Sequence, residues 1–415
     1  MTQPILRVLI QEKLANGRLS HTHIPRIWGG PRNGETCDGC EETVTKVQRT
    51  LQSTPTRRTH PTRRRHPTGR THLAMPKGLL RGLTLAAFAA LGTMTCAASA
   101  GAATLITSCA TLDTFGATYV LTADLTPDCA TCLGLTGNPT PDCGTCLVVA
   151  NDRITIDLAG HTISGSCGGG AGVTDDGTSR QGTTIKNGTI TGFDVGVFLG
   201  SSTRNLIRNL KSSTNSAAGI IVGERSLVKG CVIEDNGGYG IIIGEFGQVQ
   251  DCTITGHVAP EGNVGFGIFG AGHLLVTDND VVDNVAGIVV GDFSTVSFNT
   301  SSSNVAVGLL AGNHSLVTGN TAQGNGNAGI ATGGLSTVSY NTSNGNEGGG
   351  IAVGVESLFD GTQSLVTGNT TNDNGDVGVE AWCPSTVTNN KSSGNRLNYN
   401  INNINGLGCH TKNNN

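Results

Sequence analysis

Three carboxylates and five ring-bearing or charged neighbours recur at one place in a repeating pattern. Glu224, Glu245 and Asp292 each stand five residues after a glycine, with Gly272 interrupting the series. Arg225, Phe246, His273, Phe293 and His314 occupy the next position of their repeats. If the repeats stack, these residues form a stripe of acids beside rings. Glu224 and Glu245, one repeat apart, would offer hard oxygen ligands to Ca²⁺, or could act as acid and base in glycoside cleavage. Without turnover, the rings could stack on pyranose faces while the carboxylates accept hydroxyl protons. The plainest reading is a solvated turn whose Phe side chains stack for stability. All of these stay open, and the sequence fixes no metal site.

What must position these residues is the repeat. Glycines at 267, 287, 308, 329 and 350 give a period of 20 or 21 residues. Asn279, Asn299, Asn320, Asn341 and Asn390 each follow their glycine by twelve residues; Asn284, Asn304, Asn325, Asn346 and Asn395 follow by seventeen. A period this short marks a solenoid. Positions one and three are apolar (Ile220 and Val222, Ile241 and Ile243, Ile288 and Val290), as is position nine (Val228, Val249, Val276, Val296, Val317). Spacing of two puts side chains on one strand face. Each turn is therefore expected to hold two short strands, with Gly at one corner and Asn at another. Asn tolerates left-handed backbone, and stacked Asn side chains can hydrogen-bond along their column. Nothing has helical periodicity.

Composition agrees. With 62 Gly and 4% aromatic residues, several compact cores are excluded. Residues 1–81 carry a net charge of +10 and residues 82–415 a net of −14. An acidic body excludes nucleic acid as a partner, because phosphate neutralisation needs clustered Lys and Arg. Residues 1–74 are a basic, low-complexity leader, either disordered or untranslated. From Met75, Lys77 and Arg81 precede the apolar run Leu83 to Leu91, and Ala98-Ser99-Ala100 supplies a cleavage site. Residues 75–100 thus read as a signal peptide, which makes the chain secreted or extracytoplasmic, with no membrane span after cleavage.

Ten cysteines then remain: Cys109, Cys129, Cys132, Cys143, Cys146, Cys167, Cys231, Cys252, Cys383 and Cys409. An even number in an exported chain favours disulfides. The echoed CxxC pairs at 129–132 and 143–146 could instead hold zinc, but export favours a disulfide-pinned N-terminal cap over residues 101–146. Cys231 and Cys252 take the twelve-residue position where later repeats place Asn. Stacked neighbours there could be a disulfide or a pair of reduced thiols. Cys383 and Cys409 flank residues 398–415, read as a C-terminal cap, and are expected to pair. Two insertions, within 256–266 and 358–364, break the period and should leave the solenoid as loops.

The runs ITIDLAGHTISG (154–165) and TIKNGTITGF (184–193), followed by repeated GIxV…SLVTGNT…N, resemble the right-handed parallel β-helix superfamily, which includes the pectin-lyase-like enzymes. The likeness covers about residues 147–400. It implies a single-stranded right-handed parallel β-helix with N- and C-terminal caps, all-β, over residues 147–397 in about eleven coils. The likeness extends to secreted bacterial β-helix-repeat proteins. Enzymes of the superfamily that cleave polyuronates place carboxylates on successive coils, and some lyases bind Ca²⁺ and use a basic residue as base. Their motifs are missing from the expected β-helix, residues 147–397: there is no NTD, GHG or RIK triplet and no RxPxxR there. Asp175-Asp176 matches an Asp-Asp pair, but its neighbours do not fit. His161, in DLAGHTI, takes a family-typical position and reads as a structural hydrogen-bonder. The leading expectation is a carbohydrate-binding or cell-surface module whose partner is a polysaccharide. The alternatives are a polysaccharide lyase or glycoside hydrolase acting on an acidic glycan, and a passive spacer.

Overall fold

The computed structural model describes residues 102–128, 144–165, 169–258, 265–354, 363–402 and 408–415. The expected leader and signal peptide, Cys129, Cys132, Cys143, Cys167 and most of both insertions lie outside the described residues. The rest is a right-handed parallel β-helix. Every strand pairing is parallel, in one sheet of 13 strands and another of 23. Among the described residues there is no helix, and none long and apolar enough to cross a membrane.

A coil holds three strands rather than the expected two, as in Ala218–Val222, Leu227–Lys229 and Val232–Glu234. The first joins the smaller sheet, and the other two join the larger one on either side of a bend. Ile220, Ile241, Ile268 and Ile288 stack inside the first row; Val228, Val249, Val276 and Val296 stack inside the second. The third row gives a fainter apolar signal. Its inward residues are Ile233, Ile254 and Val281, then Ser301, Ala322, Ser343, Thr371 and Ser392. The inward hydroxyls of Ser301 and Ser343 donate to the carbonyl of the glycine seven residues on, Gly308 (2.6 Å) and Gly350 (2.7 Å), while Thr371 donates to Ser392 Oγ (2.8 Å).

This contact also corrects the place of glycine. The repeating glycines lie in or beside the first strand, not at a corner. A Cβ on Gly287 would fall 2.1 Å from Ser301 Oγ and 2.3 Å from the Gly308 carbonyl oxygen. Close approach by the third row, rather than left-handed backbone, excludes a side chain there. Two left-handed corners are set by the residues preceding each Asn: Asp278, Phe298 and Tyr340 before the first column, and Asp283, Ser303 and Asp373 before the second, all with φ between 53° and 57°.

The Asn side chains turn inward and form two buried ladders. Asn299 Nδ2 donates to Asn320 Oδ1 (3.0 Å), which also accepts the Asn299 backbone N–H (3.0 Å), and the amide donates further to the Val276 carbonyl (3.0 Å). Asn320, Asn341, Asn369, Asn390 and Asn414 continue the column. Cys231 and Cys252 head it as unlinked thiols, so no disulfide joins this candidate pair. The Cys252 sulfur takes the acceptor place of an amide oxygen, 3.5 Å from the Cys231 nitrogen. Its thiol is pushed up by the hydrogen bond with Cys231 and by burial.

Both segments expected as caps carry rungs of the solenoid. Thr104–Ile106 and Thr118–Leu121 pair in register with each other, and Ala110–Leu112 pairs with Leu147–Val149. At the other end Leu397–Asn402 and His410–Lys412 extend both sheets. Among the described residues the smaller sheet has thirteen rungs: the eleven expected, from Leu147–Val149 to Val377–Trp382, and one more in each segment expected as a cap. Cys109–Cys146 and Cys383–Cys409 are disulfides, with Cα atoms 4.5 and 4.8 Å apart.

His257 replaces Asn in the second ladder. Asn236 Nδ2 lies 3.1 Å from its Nε2, and its Nδ1 lies 2.7 Å from Asn284 Oδ1. The direction of the column requires Nδ1 to carry the proton and Nε2 to accept. Burial lowers the imidazole pKa to about 4, against the Asn284 hydrogen bond and the Asp235 charge, which raise it.

Two outcomes follow. Asn320→Ala leaves the Asn299 amide and backbone N–H without their acceptor and should cost about 2–4 kcal/mol in denaturant unfolding. A change no larger than that of a surface substitution would show the ladder to be dispensable. For His257, stability is pH-independent above the unfolded pKa of 6.5, because both states are neutral. As pH falls from 6.5 towards 4, only the unfolded chain takes the proton, so stability should fall by roughly 3 kcal/mol. His257→Asn should flatten that part of the pH profile, and an unchanged slope would assign the acid sensitivity elsewhere.

Candidate functional site

The corner after the first strand does gather the expected stripe. Arg225, Phe246, His273, Phe293 and His314 share one left-handed backbone position, with φ from 57° to 60°. Each N–H donates across to the coil beyond, from Arg225 to the Glu245 carbonyl (2.9 Å) through to His314 and the Gly334 carbonyl (3.0 Å). A side chain leaving a repeated backbone conformation repeats its direction, so these five project side by side from the surface.

The rings stack on one another. Centroids are 4.7 Å apart for Phe246 and His273, 5.1 Å for His273 and Phe293, and 4.7 Å for Phe293 and His314, with interplanar angles of 29° or less. The Arg225 guanidinium lies over the outer face of Phe246, 5.2 Å from its centroid, a cation–π contact. Phe246 and Phe293 remain 44% and 52% exposed, yet their faces meet neighbouring rings. The expected stacking of pyranose faces on these rings is therefore blocked, and the ladder offers a ligand its edges.

The acid column beside it is uneven. Glu224 pairs with Arg225 (3.3 Å), both about half exposed. Asp292 accepts from the backbone N–H of Asn313 one coil on (2.7 Å), and Asn313 Oδ1 in turn accepts from Gly334 (2.8 Å). Asp292 thus acts as a turn-to-turn tie. Glu224 and Glu245 occupy successive coils. Among the described residues no three or more His, Cys, Asp and Glu converge on a metal position. A Ca²⁺ held by those two would have to draw its other ligands from water or from a glycan.

Two arginines extend the ring column and were missed in the sequence. Arg153 and Arg204 have the same left-handed backbone (φ 58° and 57°) and the same cross-coil bonds, with Gly182 between them in the register. Arg153, Arg204 and Arg225 thus share one exposed corner within four coils. Arg204 Nη1 donates to Gln181 Oε1 (2.9 Å), and Arg153 lies over Phe115. A signal was present: each arginine follows a polar residue just before its second strand, in Asp152-Arg153, Thr203-Arg204 and Glu224-Arg225. Irregular coil lengths at the N-terminal end hid the alignment.

Asp175 and Asp176 do not form a catalytic pair. Asp175 points into the core at a place otherwise held by Val149 and Leu199, and Ser202 Oγ donates to it (2.7 Å). Burial raises its pKa, against the Ser202 hydrogen bond. Asp176 faces outward and binds Arg180 through both oxygens, and that contact holds its pKa down to about 2. His161 contacts Asp124 Oδ1 (3.3 Å) at the surface.

Residues 135–281 and 248–397 match the family model described as the right handed beta helix region. No curated protein matches the chain. Among solved structures, the Azotobacter vinelandii mannuronan C-5 epimerase AlgE6 A-module is 14% identical, covering 74% of this chain and 90% of its own, with a TM-score of 0.46. The periplasmic alginate epimerase AlgG is 14% identical, covering 67% and 79%, with a TM-score of 0.47. Pectate lyase Pel9A is 14% identical, covering 59% and 72%, with a TM-score of 0.39. With two overlapping family matches spanning most of its parallel rungs, the chain belongs to the right-handed β-helix family.

Proposed function

We infer that the chain is an exported polysaccharide-binding β-helix that holds an acidic glycan along the corner from Arg153 to His314. The observation that carries this reading is the alignment of Arg153, Arg204 and Arg225 in one exposed column that the ring ladder then continues. Guanidinium forks bind carboxylates through paired charge-assisted hydrogen bonds. Rungs about 4.8 Å apart present such forks as a row to a linear polyanion. Glu224 and Glu245 flank that row and would receive hydroxyl protons or a Ca²⁺ bridging protein and sugar carboxylates.

Binding without turnover is preferred to catalysis because the adjacent carboxylates Asp175 and Asp176 do not converge: Asp175 is buried against Ser202, and Asp176 faces outward onto Arg180. The test is binding of the purified chain to polygalacturonate and alginate, with and without Ca²⁺, with ultraviolet absorbance followed for unsaturated products. Arg204→Ala with Arg225→Ala should weaken polyuronate binding by tenfold or more, about 1.4 kcal/mol, and reduce its salt dependence. Product formation abolished by Glu224→Ala or Glu245→Ala would replace this reading with a lyase. Binding unchanged in the arginine variant would remove the corner from consideration.

A further inference from the structure

Phe298 and Tyr340 stand apart from the ring ladder, at the left-handed corner between the second and third strands, with φ 57° and 56°. They are the most exposed rings among the described large hydrophobics, at 65% and 71%. Each lies flat over a glycine of the next coil. A Cβ on Gly319 would sit 2.7 Å from Phe298 Cε1 and 2.8 Å from its Cδ1, and a Cβ on Gly368 would meet the same two Tyr340 atoms at the same distances. One ring face is therefore seated on backbone. Tyr340 lies between Gly319 and Gly368 in this column, and Phe298 between Asp278 and Gly319, so neither has a neighbouring ring against its other face.

The two rings are two coils apart, because Phe298, Gly319, Tyr340 and Gly368 follow one another in the ladder. Their separation is thus about 10 Å, twice the strand spacing. The strand beside them repeats with the same doubled period: Thr295 and Ser297, Leu316 and Thr318, Thr337 and Ser339, Leu365 and Thr367. Its hydroxyls are paired, Ser297 with Thr277 (3.3 Å) and Ser339 with Thr318 (3.1 Å). From Thr295 to Asn389 this strip carries no charged side chain, and Asp278 borders it one coil before Phe298.

We propose that Phe298 and Tyr340 form a second glycan platform, for a neutral, extended β-1,4-linked polysaccharide. In such a ribbon every second pyranose presents the same face, at a repeat close to two strand spacings, so two sugars can stack on the two rings. The Thr hydroxyls of the strip meet the ribbon's equatorial hydroxyls, and the uncharged strip suits a neutral polymer as the arginine corner suits an acidic one. Glucan and N-acetylglucosamine ribbons share this chemistry.

The test is depletion of the full chain from solution by microcrystalline cellulose and, separately, by chitin. The comparison variant is Phe298→Leu with Tyr340→Leu. Leucine keeps an apolar cover over the glycines, and Leu335 already holds a left-handed corner in this chain (φ 58°). The far-ultraviolet spectrum and melting temperature of the variant report that it folds. Retention of the native chain by either polymer, weakened more than tenfold in the leucine variant and untouched by Arg204→Ala with Arg225→Ala, supports the platform and identifies the ribbon. Failure of the native chain to bind both polymers, or equal binding by the leucine variant, overturns it whatever the polyuronate result.

Discussion

An asparagine amide buried inside a coil has both a donor group and an acceptor to satisfy, and water cannot reach it. Its counterpart one rung away offers complementary groups at the right spacing, because strands lie about 4.8 Å apart. From Asn279 to Asn414 and from Asn284 to Asn395 this condition is met at every described step. The ladders fix the register of the coils and the two bends between strands. The left-handed residue before each Asn follows from turning that side chain inward. Phe298 and Tyr340 owe their exposure to this geometry, since a residue at the bend has nowhere to point but outward.

The same constraint explains the substitutions that the ladders accept. Cys252 supplies a sulfur where an amide oxygen would accept, and His257 supplies one nitrogen to accept and one to donate. Each keeps the direction of donation. A protonated His257 would have no acceptor for Asn236, so the low pKa of this ring and its place in the column have one cause.

Much of the fold was legible because buried Val and Ile alternate in the first two strands. The third strand was not, since Ser301, Ser343 and Ser392 face inward and carry no apolar signature. Their task is to reach the carbonyls beside the first strand, which a pattern of hydropathy does not display. The glycine column misled for the same reason: it marks close approach by those side chains, not a turn. At the site, the shared corner of Arg225, Phe246, His273, Phe293 and His314 could be counted from the repeat, whereas the stacking of the rings depends on side-chain torsions. Arg153 and Arg204 escaped because coil lengths vary around Gly182, so counting from glycines failed where strand pairing succeeds.

In both ladders every side-chain amide donates toward the C-terminal neighbour and accepts from the N-terminal one. The chain is therefore a vector rather than a rod with equivalent ends. The second ladder opens on Asn215, whose oxygen takes the backbone N–H of Phe193 in the coil before it, so the coil ahead of a ladder supplies a donor. Within the ladders, a coil reversed end for end would set donor against donor and acceptor against acceptor.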